Sequence, residues 1–483
     1  MREALKRLSG ESLVYGLGQV SGRAVSLLLV PVLTRVLPPD VYGVSELVLA
    51  YSQTVLLVLV FGMDAALARF FYQEPDREAR IRMVSSSLVF RIATGVTAAL
   101  LIVAVAAPLS THLLGGAVYR KYLLLGAVTI PFTLLVLFAN DVLRVTFQPW
   151  KFIALNLAQM LVVGGMTLYL VIGRDLGVAG VLYAKLAGDA VAAGLGLLLC
   201  RHAIRPRPSR ETLGRMLRYG IPLVPVAFAY GAITSLDRFV LQRTRSLEEV
   251  GVYAVAIKFF AVVTIGVSAF QLAFGPFAFA RAAMPEAPRL YARVLALYVA
   301  VASLAALLVG VFAPEIVGVL APAAYREAAR PALWLAFAAV AQGAYYVAAL
   351  GINLSLKTWL LGWTAGGAAL VSIVLNLALT PGSGPMGAAI ATWAAYLASA
   401  TLAYVVAQRE QPMPYRGLRM LGVFGFALAL AVAAQTWAPP GGAGVGVKLG
   451  AAVAFVAVLF RLEVWRDRGA VKAGAVPPAP STA

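Results

Sequence analysis

The sequence predicts an all-α integral membrane protein of about 14 transmembrane helices. The expected arrangement is two parallel six-helix repeats around a central cavity, plus two C-terminal helices. Three observations predict it. Of 483 residues, 61% are hydrophobic and 13% charged, and the mean hydropathy is +0.85; soluble domains run at about 45–50% apolar and ~25% charged. Apolar runs of ~20 residues, enough to cross ~30 Å of hydrocarbon, recur along nearly the whole chain. Basic residues gather in alternate connections between those runs.

The predicted spans run near 12–34, 42–62, 84–107, 122–143, 152–172, 178–200, 219–241, 250–271, 293–313, 332–351, 358–379, 386–407, 418–437 and 445–463. The first apolar run has no small-residue cleavage site behind it, so it reads as a retained helix, not a signal peptide. Pro222 and Pro225 open the seventh span, where they free backbone carbonyls beside a cavity. Glycines and prolines at 439–446 leave a very short link between the last two spans. The longest connections, 63–83, 201–218 and 272–292, are too short for a folded catalytic domain. In 209–218, Leu213, Met216 and Leu217 share one helical face and the arginines lie elsewhere, which suits an interfacial helix. Residues 470–483 are Ala/Pro-rich and expected to be disordered.

Placing both termini in the cytoplasm puts about 26 of the 40 lysines and arginines in cytoplasmic segments and about 9 outside, with about 5 inside spans. That asymmetry obeys the positive-inside rule and requires an even number of crossings. It also accounts for the net charge of +19 without nucleic acid. The expected location is the bacterial cytoplasmic (inner) membrane. Cys200 is the one cysteine, so no intramolecular disulfide forms. His112 and His202 fall in different connections, and no metal or haem spacing occurs. No GxxxxGK[ST] loop is present, so ATP does not drive the protein directly. No cofactor is expected, and the protein reads as a non-enzyme.

An internal repeat organises the chain. Span 1 ends in LTRVLPPDVYG and span 7 in LQRTRSLEEVGVY. In both, a Leu-polar-Arg triplet is followed by a glycine eight residues after the arginine, Arg35 to Gly43 and Arg243 to Gly251. A six-span offset preserves orientation, so the copies are parallel repeats about an axis along the membrane normal. The expected division is residues 1–208 (spans 1–6), 209–411 (spans 7–12), 412–469 (two added spans) and the tail.

Charges inside spans are costly, at least ~2.5–3.5 kcal/mol near the bilayer centre, and usually face a bundle interior or wet cavity. Ser12, Gly16, Gln19, Arg23 and Ser26 form a polar stripe on span 1. A helix contact explains the small residues, and cavity lining better explains Arg23. Arg91 lies in span 3. Asn140, Asp141, Arg144 and Gln148 close span 4, where Arg144 can snorkel and pair with Asp141. Lys185 and Asp189 are an i,i+4 pair, read either as a static bridge or as a gate. Tyr230, Thr234, Arg238 and Gln242 line one face of span 7; Asp237 can pair with Arg238, and Lys258 follows in span 8. Spans 10 and 12 add Gln342, Tyr346 and Asn353, and Thr392, Tyr396 and Ser399. Asp141, Asp189 and Asp237, with Lys185, are the candidate coupling or gating groups for protons or sodium. The embedded charges are mostly basic, and arginine's planar donors suit phosphate.

The stretches LLLVPVLTRVLPPDVYGVSEL, GMDAALARFFYQE and SLDRFVL…LEEVGVYAVAIKF resemble the polysaccharide biosynthesis/export branch of bacterial flippases. That branch shares a superfamily with the multidrug and toxin extruders and the lipid II flippases. The resemblance covers about residues 10–410. It implies two six-helix lobes rocking about a central cavity. It also implies a polyprenyl-diphosphate-linked oligosaccharide as cargo, moved toward the periplasmic leaflet. Arg23, Gln19, Arg91, Arg238, Lys258 and Tyr230 become the expected cavity residues. Glycan polymerases or glycosyltransferases of the same pathway become possible partners. The alternatives are a lipid II flippase, a cation-coupled small-molecule exporter and a membrane glycan polymerase.

Overall fold

The computed structural model describes residues 27–461, apart from 206, 207, 283, 356, 358 and 440. Among the described residues every regular element is helical. Twelve helices are long and apolar enough to cross a membrane. The expected first span lies mostly outside the described residues, and its end forms a short helix, Val30–Val36.

The first group comprises α1 (Pro39–Leu59), α2 (Met63–Gln73), α3 (Arg77–Ala104), α4 (Arg120–Val145), α5 (Pro149–Thr167) and α6 (Gly177–Cys200). A connecting helix α7 (Arg210–Gly220) leads to α8 (Val224–Thr244), α9 (Leu247–Arg281), α10 (Ala287–Val311), α11 (Ala329–Ala348) and α12 (Trp359–Glu410). The chain closes with α13 (Gly417–Trp437) and α14 (Gly442–Arg461).

Local chemistry sets the helix starts. Pro39 takes the first turn of α1, where its missing N–H is no loss. The Asp76 carboxylate caps α3 through the N–H groups of Glu78 and Ala79, at 3.2 and 3.0 Å. Ser209 caps α7 and Ser246 caps α9 in the same way.

The 52-residue α12 is a hairpin. Gly384 breaks it with φ 54° and ψ −134°, between Pro381 and Pro385. A Cβ on Gly367 would meet the Leu402 side chain at 2.8 Å, so the stretches on either side of Gly384 fold back on each other. Lys357 and Glu410 close the open end at 2.6 Å. The two arms are the expected spans 11 and 12.

Packing follows the same order in both groups. In the first, α4 packs against α3, α6 and α1. In the second, α11 packs against α10, α12 and α9. Helices α13 and α14 lie on α10, and the buried Lys448 of α14 pairs with Glu315.

The groups meet where α1 and α9 begin. A Cβ on Gly43 would stand 2.1 Å from the Leu247 carbonyl oxygen. One on Gly251 would stand 1.8 Å from that of Pro39. Positions 39 and 247, like 43 and 251, differ by 208, the spacing of Arg35 and Arg243. Each repeat therefore presents the same glycine to the same backbone site of the other, the reciprocity a twofold axis requires. Tyr325 Oη donates to Leu37 O at 2.8 Å, Thr34 Oγ1 to Leu320 O at 3.2 Å and Arg35 to Val319 O at 3.1 Å, all at this end.

Two connections are shorter than the sequence suggested. Segment 63–83 holds α2 and the start of α3, with only 74–76 between them. Its charges mask an apolar face, Met63, Ala66 and Leu67, buried against α4 and α7. Helix α9 continues to Arg281, which shortens the 272–292 connection. The apolar face of α7 joins the core of the first group through Met216, Leu213 and Leu217.

Candidate substrate cavity

A cavity of about 340 Å³ opens between α1, α5, α6 and α9. Glu46, Lys185, Lys258, Tyr42, Asn156 and Gln159 supply its polar lining. The i, i+4 spacing of Tyr42 and Glu46 puts both on one face of α1, and Tyr42 Oη donates to Glu46 Oε1 at 2.9 Å. Lys258 Nζ crosses from α9 to the same oxygen at 2.9 Å. This ion pair joins the two helix groups, with Lys258 and Glu46 side chains 15% and 16% exposed.

On the opposite wall, Lys185 pairs with Asp189 one turn away. Asp189 is fully buried and also accepts from Thr133 Oγ1 and, at 2.7 Å, from Gln159 Nε2. Three donors from three helices fix this carboxylate, and Lys185 is left facing the cavity.

Asp237 and Arg238 lie on α8. Asp237 accepts from Tyr253 Oη at 2.7 Å, Thr392 Oγ1 at 3.2 Å and the Arg238 backbone N–H at 2.8 Å. Arg238 Nε stands 3.8 Å from Asp237 and is buried without a hydrogen-bond partner. Arg238 NH2 donates to Thr234 O at 3.0 Å. Tyr230 is exposed on the same helix and accepts from Gln342 at 3.1 Å.

Arg91 is elsewhere. It is wholly buried between α3 and α4 and donates to Asp141 Oδ2 at 2.6 Å. Arg144 lies 3.9 Å from the other oxygen of Asp141. This pair forms no part of the cavity lining. Gln19 and Arg23 lie outside the described residues.

The structure thus brings Lys185 and Lys258 to one cavity and leaves Arg238, Arg91 and Asp141 out of its lining. It also supplies what sequence reasoning missed. Each embedded base among the described residues has a carboxylate within 4.0 Å. The Lys185–Asp189 and Asp237–Arg238 pairs were expected, whereas Arg91–Asp141 and Lys258–Glu46 were not. Glu46 was overlooked, although it is the one acid inside the 42–62 run.

A family model described as "Polysaccharide biosynthesis protein" matches residues 32–330, more than half of the chain. The chain belongs to the polysaccharide biosynthesis protein family. Solved structures share the fold at low identity. A lipid II flippase, MurJ, in an inward closed conformation aligns over 94% of this chain and 99% of its own, with a TM-score of 0.72 and 11% identity. An outward-facing multidrug resistance MATE family transporter aligns over 87% and 96%, at 0.61 and 17%. A MOP superfamily transporter from Pyrococcus furiosus aligns over 84% and 95%, at 0.58 and 15%. No curated protein sequence matches. This member of the polysaccharide biosynthesis family is a multi-pass membrane protein with the fold of the MOP superfamily transporters.

Proposed function

We propose that this protein is a flippase for a polyprenyl-diphosphate-linked oligosaccharide. It moves the cargo from the cytoplasmic to the periplasmic leaflet by alternating access and catalyses no covalent step. Both termini are cytoplasmic, and residues 1–208 and 209–411 act as the two rocking lobes. The observation that carries this reading is the convergence of Lys185 and Lys258, one from each lobe, on a single polar cavity. A diphosphate bears about two negative charges and gains charge-assisted hydrogen bonds from such donors. A lysine at each wall lets the headgroup bridge the lobes. The prenyl chain stays in lipid or follows the apolar groove of Leu295, Val340, Leu397, Leu421 and Phe424. With the N-terminus inside, the Gly43–Gly251 contact seals the periplasmic end, and the cavity is reached from the cytoplasm.

Asp237 is our candidate for coupling to a proton or sodium ion. It is a buried carboxylate surrounded by the oxygens of Tyr253 and Thr392, in the lobe opposite Lys185.

The test is complementation of a deletion strain. Lys258→Gln and Lys185→Gln should each abolish surface glycan while the protein still inserts at normal abundance. Export unchanged in both variants refutes the cavity assignment. Drug sensitivity with intact surface glycan would support a small-molecule exporter instead.

A further inference from the structure

Among the described residues the embedded bases are paired, so a diphosphate that binds one of them competes with its carboxylate. Three of the four carboxylates are fixed. Asp189 accepts from three side chains, Asp237 from two side chains and a backbone N–H, and Asp141 lies between Arg91 and Arg144. Glu46 differs. Both of its hydrogen bonds fall on Oε1, its side chain has one more methylene than an aspartate, and it lines the cavity.

The repeat makes this pair singular. The position 208 residues after Glu46 is Ala254, and the one 208 before Lys258 is Ala50. Both alanines are buried. A single acid and a single base therefore face each other across an axis about which the neighbouring glycines are duplicated. Glu46 stands one helical turn from Gly43, so its rotamer is close to the contact that closes the lobes.

We propose that Glu46 is a built-in stand-in for the cargo's phosphate. In the unloaded protein its carboxylate takes the Tyr42 hydroxyl and the Lys258 ammonium. An arriving diphosphate displaces it and inherits the Tyr42 and Lys258 donors. Displacement removes a lobe-to-lobe ion pair and substitutes a lobe-to-lobe phosphate bridge. Glu46 is thus a competitor that sets cargo affinity and keeps the empty protein closed. The inference rests on the diphosphate reading of the cavity.

The test is binding of farnesyl diphosphate to purified full-length protein in nanodiscs, with farnesol as control. Removing the competitor in Glu46→Gln should tighten binding by roughly ten- to a hundredfold, the range for one charge-assisted hydrogen bond. Lys258→Gln should weaken it by a similar factor. The ligand-induced rise in Tm reports the same affinities and shows that each variant is folded. If Glu46→Gln gives no cooperative melt, Glu46→Asp keeps the charge, shortens the reach to Lys258, and should tighten binding severalfold. Weaker or unchanged binding in the folded position-46 variant, with Lys258→Gln weakened, overturns the stand-in role alone. Unchanged binding in Lys258→Gln overturns the diphosphate reading beneath it.

Discussion

Lys258 and Arg91 show how little a residue's type says about its work inside a membrane. Both are bases in apolar runs, and nothing in their sequence context separates them. Lys258 faces a cavity and bonds to a carboxylate on another lobe. Arg91 has no exposed surface, and its partner is on a neighbouring helix of the same group. The difference is one of helix rotation and of which helix lies opposite, and neither is written in a charge count. Breaking a buried pair by removing one partner leaves an uncompensated charge, worth about 3–5 kcal/mol. Arg91→Met and Asp141→Leu should therefore each lower the thermal midpoint strongly, and the double variant should recover most of the loss. A double variant no better than the sum of the singles would mean that the two groups are not coupled. Glu46 escaped notice because a search for excess positive charge passes over the acid that cancels it.

At the scale of helices, the sequence was most legible where hydrophobic length decides. Thirteen of the expected spans correspond to helices or helix arms, counting α12 as two. Amphipathic pieces were harder. The charges of α2 and its short length made 63–73 look like a connection, and its buried face needs α4 and α7 to be recognised. The short glycine pattern told more than its length promised, since Gly43 and Gly251 proved to sit at a close backbone contact between the helix groups. Any Cβ there collides with a backbone carbonyl, which cannot step aside as a flexible side chain can. Gly251→Val should hold the lobes apart at this end. On a Cys200→Ala background, a cysteine at Ser45 should then react faster with a membrane-impermeant thiol reagent from the periplasmic side; an unchanged rate would contradict the seal. Gly384 tests a different property of the backbone. Its φ of 54° with ψ of −134° is essentially reserved for glycine. Gly384→Ala should destabilise the protein by about 1–3 kcal/mol through the α12 turn, seen as a lower denaturation midpoint.

For the whole molecule, two duplicated helix groups meet at a duplicated contact, and our proposal places the cargo site where the duplication fails. Gly43 and Gly251 obey the repeat, whereas Glu46 and Lys258 break it. Symmetry supplies a contact with equivalent sides, and asymmetry supplies one ion pair across it, which in our proposal the cargo contests. The broad outline of this arrangement was readable in composition, hydrophobic period and charge bias. The cavity was not, because its walls come from residues spread between Leu29 and Lys258, joined only by packing. The central claim is that paired lysines of two lobes carry a diphosphate headgroup across the membrane. Its most direct test is translocation of a fluorescent polyprenyl-diphosphate-linked oligosaccharide in proteoliposomes, read by quenching from outside. The wild-type protein should move the lipid between leaflets, and Lys185→Gln/Lys258→Gln should leave the rate at that of empty liposomes. Translocation by the double variant at the wild-type rate would contradict the account.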